Sequence, residues 1–291
     1  MKSSLDAHAI TTPKAQGEAP FSGVQCDALF AAVLVHDDIH PDAELPDAIH
    51  LDYGEEQLAR CYRISRQIWE EGADRQALCA IARKIRRHRS LSPEDQLLFK
   101  HVRARFKHLR AAYAASDEGH GHPGALQAMT AVMGFLQDAF KNNRGAAMTW
   151  WAMVLRLFLT RLPYALMIRS VDHFRAGNAE SFRKYVNAEI HFVRLNLAKK
   201  EVTSEEFHEM RKVVSRQVAL YDNLKVLYPS QYHDAVSRYL STINGMMGGM
   251  HDALVLRKFE GAQAYYADTF ELSGEIRQRL LALAEKYAEP Q

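Results

Sequence analysis

Cysteine is scarce in this chain, with only Cys26, Cys61 and Cys79 among 291 residues. An odd count, wide spacing and no C-x-x-C pair exclude a disulfide framework or a zinc knuckle; reduced thiols in a cytoplasmic protein are expected. Signature loops are missing too. Neither G-x-x-x-x-G-K-[ST] nor G-x-G-x-x-G occurs, which excludes nucleotide binding by those devices, and no G-x-S-x-G elbow offers a hydrolase serine. Long apolar runs are few. The longest, Ala146 to Val171, contains Arg156, Arg161 and Arg169, each costing about 2.5–3.5 kcal/mol near a bilayer centre. Pro163 interrupts it as well. It is expected as a buried core helix kinked at the proline, with Trp150 and Trp151 in the core, and no membrane partner is expected. The first residues hold no apolar run beside Lys2, so no signal peptide is expected.

What is present is charge, unevenly placed. The formal net charge is +2, with 37 Lys+Arg and 35 Asp+Glu. Residues 1–57 hold 11 of the acids and 2 lysines, leaving 24 acids and 35 cations in residues 58–291. The halves of this division carry −9 and +11. An acidic segment, expected to be a largely disordered leader over 1–57, precedes a basic body that calls for an anionic partner.

From about residue 55 the apolar residues recur at helical spacing almost everywhere, with Gly and Pro confined to the gaps. No alternating run bounded by hairpin turns appears, so the expected class is all-α, with nine or ten helices in the body. Helices are expected over 55–71, 74–89, 93–115, 123–142, 146–175, 179–200, 204–227, 230–246, 249–269 and 272–287. In the one starting near Ser92, Phe99, Val102, Phe106, Leu109 and Tyr113 fall on one stripe at about 100° per residue. Lys100, Arg103, Lys107 and Arg110 fall on the next. The stretch 83–110 has ten Lys+Arg against two acids, whereas a solvated helix face interleaves the two signs. The helix from Ser204 is built on the same plan, setting His208, Arg211, Lys212, Ser215 and Arg216 opposite an apolar side.

The two cationic helices are also succeeded by similar elements. After the first comes Gly134-Phe135-Leu136-Gln137-Asp138; after the second, Gly248-Gly249-Met250-His251-Asp252. Arg103 to Arg211 is 108 positions and Asp138 to Asp252 is 114. A near-constant offset predicts a duplicated helical unit, with halves of about 58–175 and 176–288.

These residues resemble the CHAD domain family, helical domains rich in histidine and arginine. The family pattern is a His trailed by spaced cations, then a short Gly-x-x-[RNH]-Asp element. Here it is carried by His208-Glu-Met-Arg211 with Ser215-Arg216 and Gly248 to Asp252. In the first half it is carried by Lys100-His-Val-Arg103, Lys107-His108-Leu109-Arg110 and Gly134 to Asp138. Lys100 stands where the first histidine belongs, and Ser215 and Val218 where cations are usual. The resemblance covers about residues 58–288. It implies two similar four-helix bundles about a pseudo-twofold axis, with a basic central channel that binds inorganic polyphosphate without catalysis. It also suggests association with polyphosphate granules.

The chemistry points the same way. A linear polyanion needs a row of guanidinium and ammonium groups, and i, i+4, i+7 spacing supplies one along a helix. The expected polyanion-binding residues are Lys100, Arg103, Lys107, Arg110, His208, Arg211 and Arg216, with Arg86 and Arg87 as weaker candidates. Histidines among them would add charge as pH falls towards about 6.5. Asp138 and Asp252 are expected to pair with the stripe arginines. No catalytic residue, cofactor or metal is expected. Three alternatives stay open: an interaction scaffold that keeps the duplicated fold but has lost its ligand, a helical nucleic-acid-binding protein, and an HD-type metal-dependent phosphohydrolase. The last would use His251-Asp252 with His208 or His233 upstream and Asp268 downstream.

Overall fold

The computed structural model describes residues 19–259 (the backbone alone over 255–259) and 268–287. Eleven helices and one two-residue strand pair are found among the described residues. The helices are α1 (Gly23–Leu34), α2 (Glu55–Gly72), α3 (Arg75–His88), α4 (Pro93–Ser116), α5 (Gly124–Lys141), α6 (Gly145–Phe158), α7 (Arg161–Asp172), α8 (Ala179–Leu197), α9 (Ser204–Leu227), α10 (Gln231–Phe259) and α11 (Gly274–Lys286). Strands β1 (Val202–Thr203) and β2 (Thr269–Phe270) pair antiparallel, Val202 opposite Phe270.

Local chemistry sets the ends of the two long cationic helices. Ser92 accepts the Asp95 amide, and Pro93 occupies the first turn of α4. Thr203 and Glu206 form a reciprocal capping box at the start of α9.

Two apolar cores form around these helices. One gathers residues of α2–α7, among them Trp69, Phe99, Phe106, Met133 and Leu155. The other gathers residues of α8–α11 together with α1, Ile49 and Tyr53. Helix α2 serves both, turning Leu58, Cys61, Ile64 and Ile68 to one core and Tyr62 and Trp69 to the other. At the junction, Asn223 on α9 accepts from Ser65 of α2 at 3.1 Å and lies 2.9 Å from His108 Nε2 of α4. Through its Oδ1, Asn223 joins buried polar groups of three helices, which favours one register of α4 against α9.

Four expectations are corrected here. Residues 19–57 are built into the fold rather than forming a disordered leader. Ser22 and Gln25 cap α1, whose Cys26, Leu29 and Val33 face the core. The segment after it is tied down by backbone-directed bonds: Thr242 Oγ1 accepts from the His40 amide (2.9 Å), Asn244 donates to the His36 carbonyl (3.0 Å), and Ser241 donates to the Asp38 carbonyl (2.9 Å). Gly245 permits this approach, since a Cβ there would collide with the Asp37 carbonyl. Residues 1–18 lie outside the described residues.

The apolar stretch expected as one kinked helix is two helices, α6 and α7, bent by 69° at Leu159–Thr160, ahead of the proline. Pro163 then sits in the first turn of α7, where its missing N–H goes unused. Trp150, expected in the core, is exposed. Finally, Gly248-Gly249 does not end a helix; α10 runs through it to Phe259.

Candidate functional site

Arg103, Lys107 and Arg110 recur at i, i+4 and i+7 along α4, and α4 packs against α9, which carries Arg211, Lys212 and Arg216. The two cationic faces meet. Lys107 feels the charges of Arg103, Arg211 and Arg110; Arg103 feels those of Arg110 and Arg211; and Arg110 feels that of Arg216. His122, from the loop before α5, faces Arg110, Arg216 and Lys212.

Crowding of like charges in a half-buried seam shifts the ionisation of its members. Burial first, and then the three arginines, bring the Lys107 ammonium down to about 7, with Asp37 of the leading segment opposing. Lys107 makes no hydrogen bond or ion pair among the described residues. Arg103 is likewise held below its ordinary value by burial, against the pull of Asp138, and its buried Nε has no hydrogen-bond acceptor among the described residues. A buried guanidinium N–H without an acceptor is costly unless something anionic arrives.

Two arginines are built alike. The Arg103 Nη2 lies 3.2 Å from where a Cβ on Gly134 would stand, and the Arg211 Nη2 lies 3.2 Å from the same point on Gly248. Each glycine is four residues before an aspartate that acts on that arginine, Asp138 on Arg103 and Asp252 on Arg211. These pairings are electrostatic rather than contact ion pairs for Arg103. Asp252 lies beside His251 (3.7 Å) and Lys141 (3.8 Å). The absence of a side chain at each glycine leaves room for the guanidinium to approach the neighbouring helix closely.

The remaining expected residues differ in what they do. Lys100 is exposed, and its charge acts on His101 rather than on the seam. Arg110 donates to Thr130 Oγ1 at 3.0 Å. Arg216 is ion-paired with Glu189 of α8, a carboxylate whose burial raises its pKa and which Gln217 also approaches. Arg216 is therefore partly neutralised. His208 is pushed down to about 4 by burial, then by Lys212 and His251, whose ring is 5.0 Å away. The expectation that it gains charge near pH 6.5 is corrected: it stays neutral throughout the physiological range. Val218 is buried, which explains the missing cation there. Arg86 and Arg87 are exposed on α3.

Sequence reasoning missed His36 and Asp37, which arrive from the leading segment, and Glu189. His36 is held down to about 4 by burial and then by Lys107, and its Nδ1 donates to the Val33 carbonyl at 2.7 Å. Glu189 had a weak signal, a lone acid in the apolar-rich 182–197 stretch. Among the described residues no group of three or more His, Cys, Asp or Glu side chains could hold a metal ion.

Comparison with family models, curated proteins and solved structures finds no match to this chain.

Proposed function

We propose that the protein binds inorganic polyphosphate, or a similar linear polyanion, along the α4–α9 seam and does not turn it over. The observation that carries this reading is the meeting of Arg103, Lys107 and Arg110 with Arg211 across two packed helices. Lys107 there lacks a hydrogen bond or ion pair among the described residues. Such a row of cations suits a ligand with closely spaced anionic oxygens and no base edges to read. A passing phosphate chain would meet forked guanidinium donors at Arg103 and Arg211 and a point charge at Lys107.

The CHAD resemblance belongs to the same proposal, with its two similar four-helix bundles, pseudo-twofold axis and central basic channel. Supporting it are the arginine-over-glycine construction found at both Arg103/Gly134 and Arg211/Gly248, and two separate apolar cores. On this reading the core binding residues are Arg103, Lys107, Arg110 and Arg211, with His208 and Arg216 at the margin and Lys100 at the entrance. The protein would act in the cytoplasm, on polyphosphate granules.

The test is a titration with long-chain polyphosphate at several salt concentrations, on the wild type and on Arg103→Glu/Arg211→Glu, with circular dichroism as the folding control. Wild-type affinity should fall steeply with salt, and the slope of log K against log[salt] should drop by about 1–2 in the double variant. Unchanged binding in a folded double variant would overturn the proposal. So would nucleic acid outcompeting polyphosphate at equal phosphate concentration, or phosphate release from polyphosphate by the purified protein.

A further inference from the structure

Helices α6 and α7 turn apolar side chains outward. Trp150 (55% exposed), Met153 and Leu157 (62%) recur at i, i+3 and i+7 of α6, opposite the buried Met148, Ala152 and Leu155. Leu162 (70%) and Leu166 (55%) do the same on α7, opposite Met167 and Val171. Scattered exposed leucines mean little, but a row over two consecutive helices marks an interaction surface.

Along the chain, the charges that flank this row are cations as far as Asp172, which ends α7. From Ala139 to Val171 the chain has no Asp or Glu, while Arg156, Arg161 and Arg169 lie within it. None of these three arginines makes a hydrogen bond or ion pair among the described residues. Helix α3, packed against α6, adds Arg86 and Arg87 in its last turn, and Arg89 lies in a shallow depression with Trp150 and Met153.

Three occupants fit unequally. A polyphosphate chain has no apolar part to cover Trp150 and Leu157. A second copy facing this surface across a twofold axis would set Arg156, Arg161 and Arg169 against their own counterparts. An anionic lipid surface matches both features: acyl chains accept the apolar row, and headgroups accept the arginines, whose stems can lie along the boundary. Among the described residues no single helix is long and apolar enough to cross a membrane. The α6–α7 pair passes that test only together and is bent by 69°. A bent amphipathic pair lies in the interface instead.

We propose that the exposed face of α6 and α7 docks the protein on anionic lipid bilayers, with Trp150, Leu157, Leu162 and Leu166 entering the headgroup boundary. The proposal is independent of the polyanion reading, since it uses a different surface.

The experiment is co-sedimentation of the full chain with phosphatidylcholine vesicles and with phosphatidylcholine/phosphatidylglycerol vesicles, read together with tryptophan fluorescence. Binding should need phosphatidylglycerol, weaken with salt and shift Trp emission to the blue. Leu157→Glu/Leu166→Glu changes only exposed positions, so it should keep its thermal melt while losing vesicle affinity about tenfold or more. Trp150→Phe should still bind and lose most of the blue shift. Arg103→Glu/Arg211→Glu should bind vesicles as the wild type does. Absent or equal binding to both vesicle types overturns the proposal, and so does binding that the Leu→Glu pair leaves intact or that disappears with Arg103 and Arg211. Concentration-dependent dimerisation that Leu157→Glu/Leu166→Glu abolishes, without vesicle binding, would also overturn it and assign the face to a second copy.

Discussion

Lys107 offers the sharpest test of how the seam recognises an anion. Its ammonium is lowered from 10.5 to about 7 because burial removes water and Arg103, Arg211 and Arg110 surround it with like charge. Asp37 is the acid that opposes them, and His36 beside it is held down to about 4, so it does not titrate near neutrality. A bound polyanion adds the missing counter-charge and returns the Lys107 pKa upward. Binding then takes up a proton wherever the free protein has lost it. With a free-state value of about 7, roughly nine in ten Lys107 side chains are neutral at pH 8 and about one in ten at pH 6, so affinity should fall about tenfold across that interval. Internal phosphates of a long chain stay ionised there and do not contribute. The assay is a binding titration with long-chain polyphosphate at fixed ionic strength and stepped pH, repeated on Lys107→Gln, which should weaken binding at pH 6 and flatten the profile. The free protein gives a second readout. Its Lys107 holds fewer protons than the unfolded chain between about pH 7 and 10.5, so this group's contribution to stability should rise with pH over that window and level off below it. A wild-type affinity profile as flat as that of Lys107→Gln would refute the reasoning, as would a slope that survives the substitution.

The packing around the seam sets further outcomes. Gly134→Ala and Gly248→Ala each add a Cβ at 3.2 Å from an arginine Nη2, displacing the guanidinium slightly while removing a helix-interior glycine. Melting temperatures should hold or rise, with a propensity gain of up to about 1 kcal/mol, while polyphosphate affinity falls; equal loss of both would show that the glycines serve packing alone. Glu189→Gln leaves Arg216 without its buried partner, and urea denaturation should show a loss of about 1–3 kcal/mol. Asp37→Asn removes the acid that opposes the cations around Lys107, and should tighten polyphosphate binding at low salt by about threefold, an effect that fades as salt rises.

The helices are legible in the sequence because their apolar periodicity is strong and their ends carry capping residues. Ser92-Pro93 marks the start of α4; at α9 Ser204 reads as the cap, whereas Thr203, one residue earlier, takes that role with Glu206. Helix α10 reads as two at Gly248-Gly249 because adjacent glycines usually punctuate. Here Gly248 makes room for Arg211 while the backbone continues helical. Helix α1 escapes notice for a different reason: its residues are mostly apolar, with little amphipathic contrast, in a neighbourhood whose acidic charge dominates the pattern. In the seam, spacing alone identifies Arg103, Lys107 and Arg110 as one face. It does not separate Lys107, crowded by arginines, from Lys100, two turns earlier and exposed. Nor does it show that Arg216 faces a carboxylate 27 positions away, because that depends on how α8 lies against α9.

The division of charge into an acidic segment and a basic body suggests that one masks the other, and the contacts of residues 19–57 limit how far that holds. Asp52 pairs with Arg183, Glu56 with Arg63, and Asp42 approaches Arg238. All three cations lie outside the set that meets between α4 and α9, and such exposed pairs contribute about 0–1 kcal/mol each. Of the acids in this stretch, Asp37 is the one whose charge reaches Lys107. Removing residues 1–57 would therefore be a poor test of masking. It would take Leu29, Val33, Ile49 and Tyr53 out of the core, where losing a single large apolar side chain already costs about 2–5 kcal/mol. Loss of binding would then report unfolding, whereas Asp37→Asn changes the charge facing the seam and leaves α1 in place.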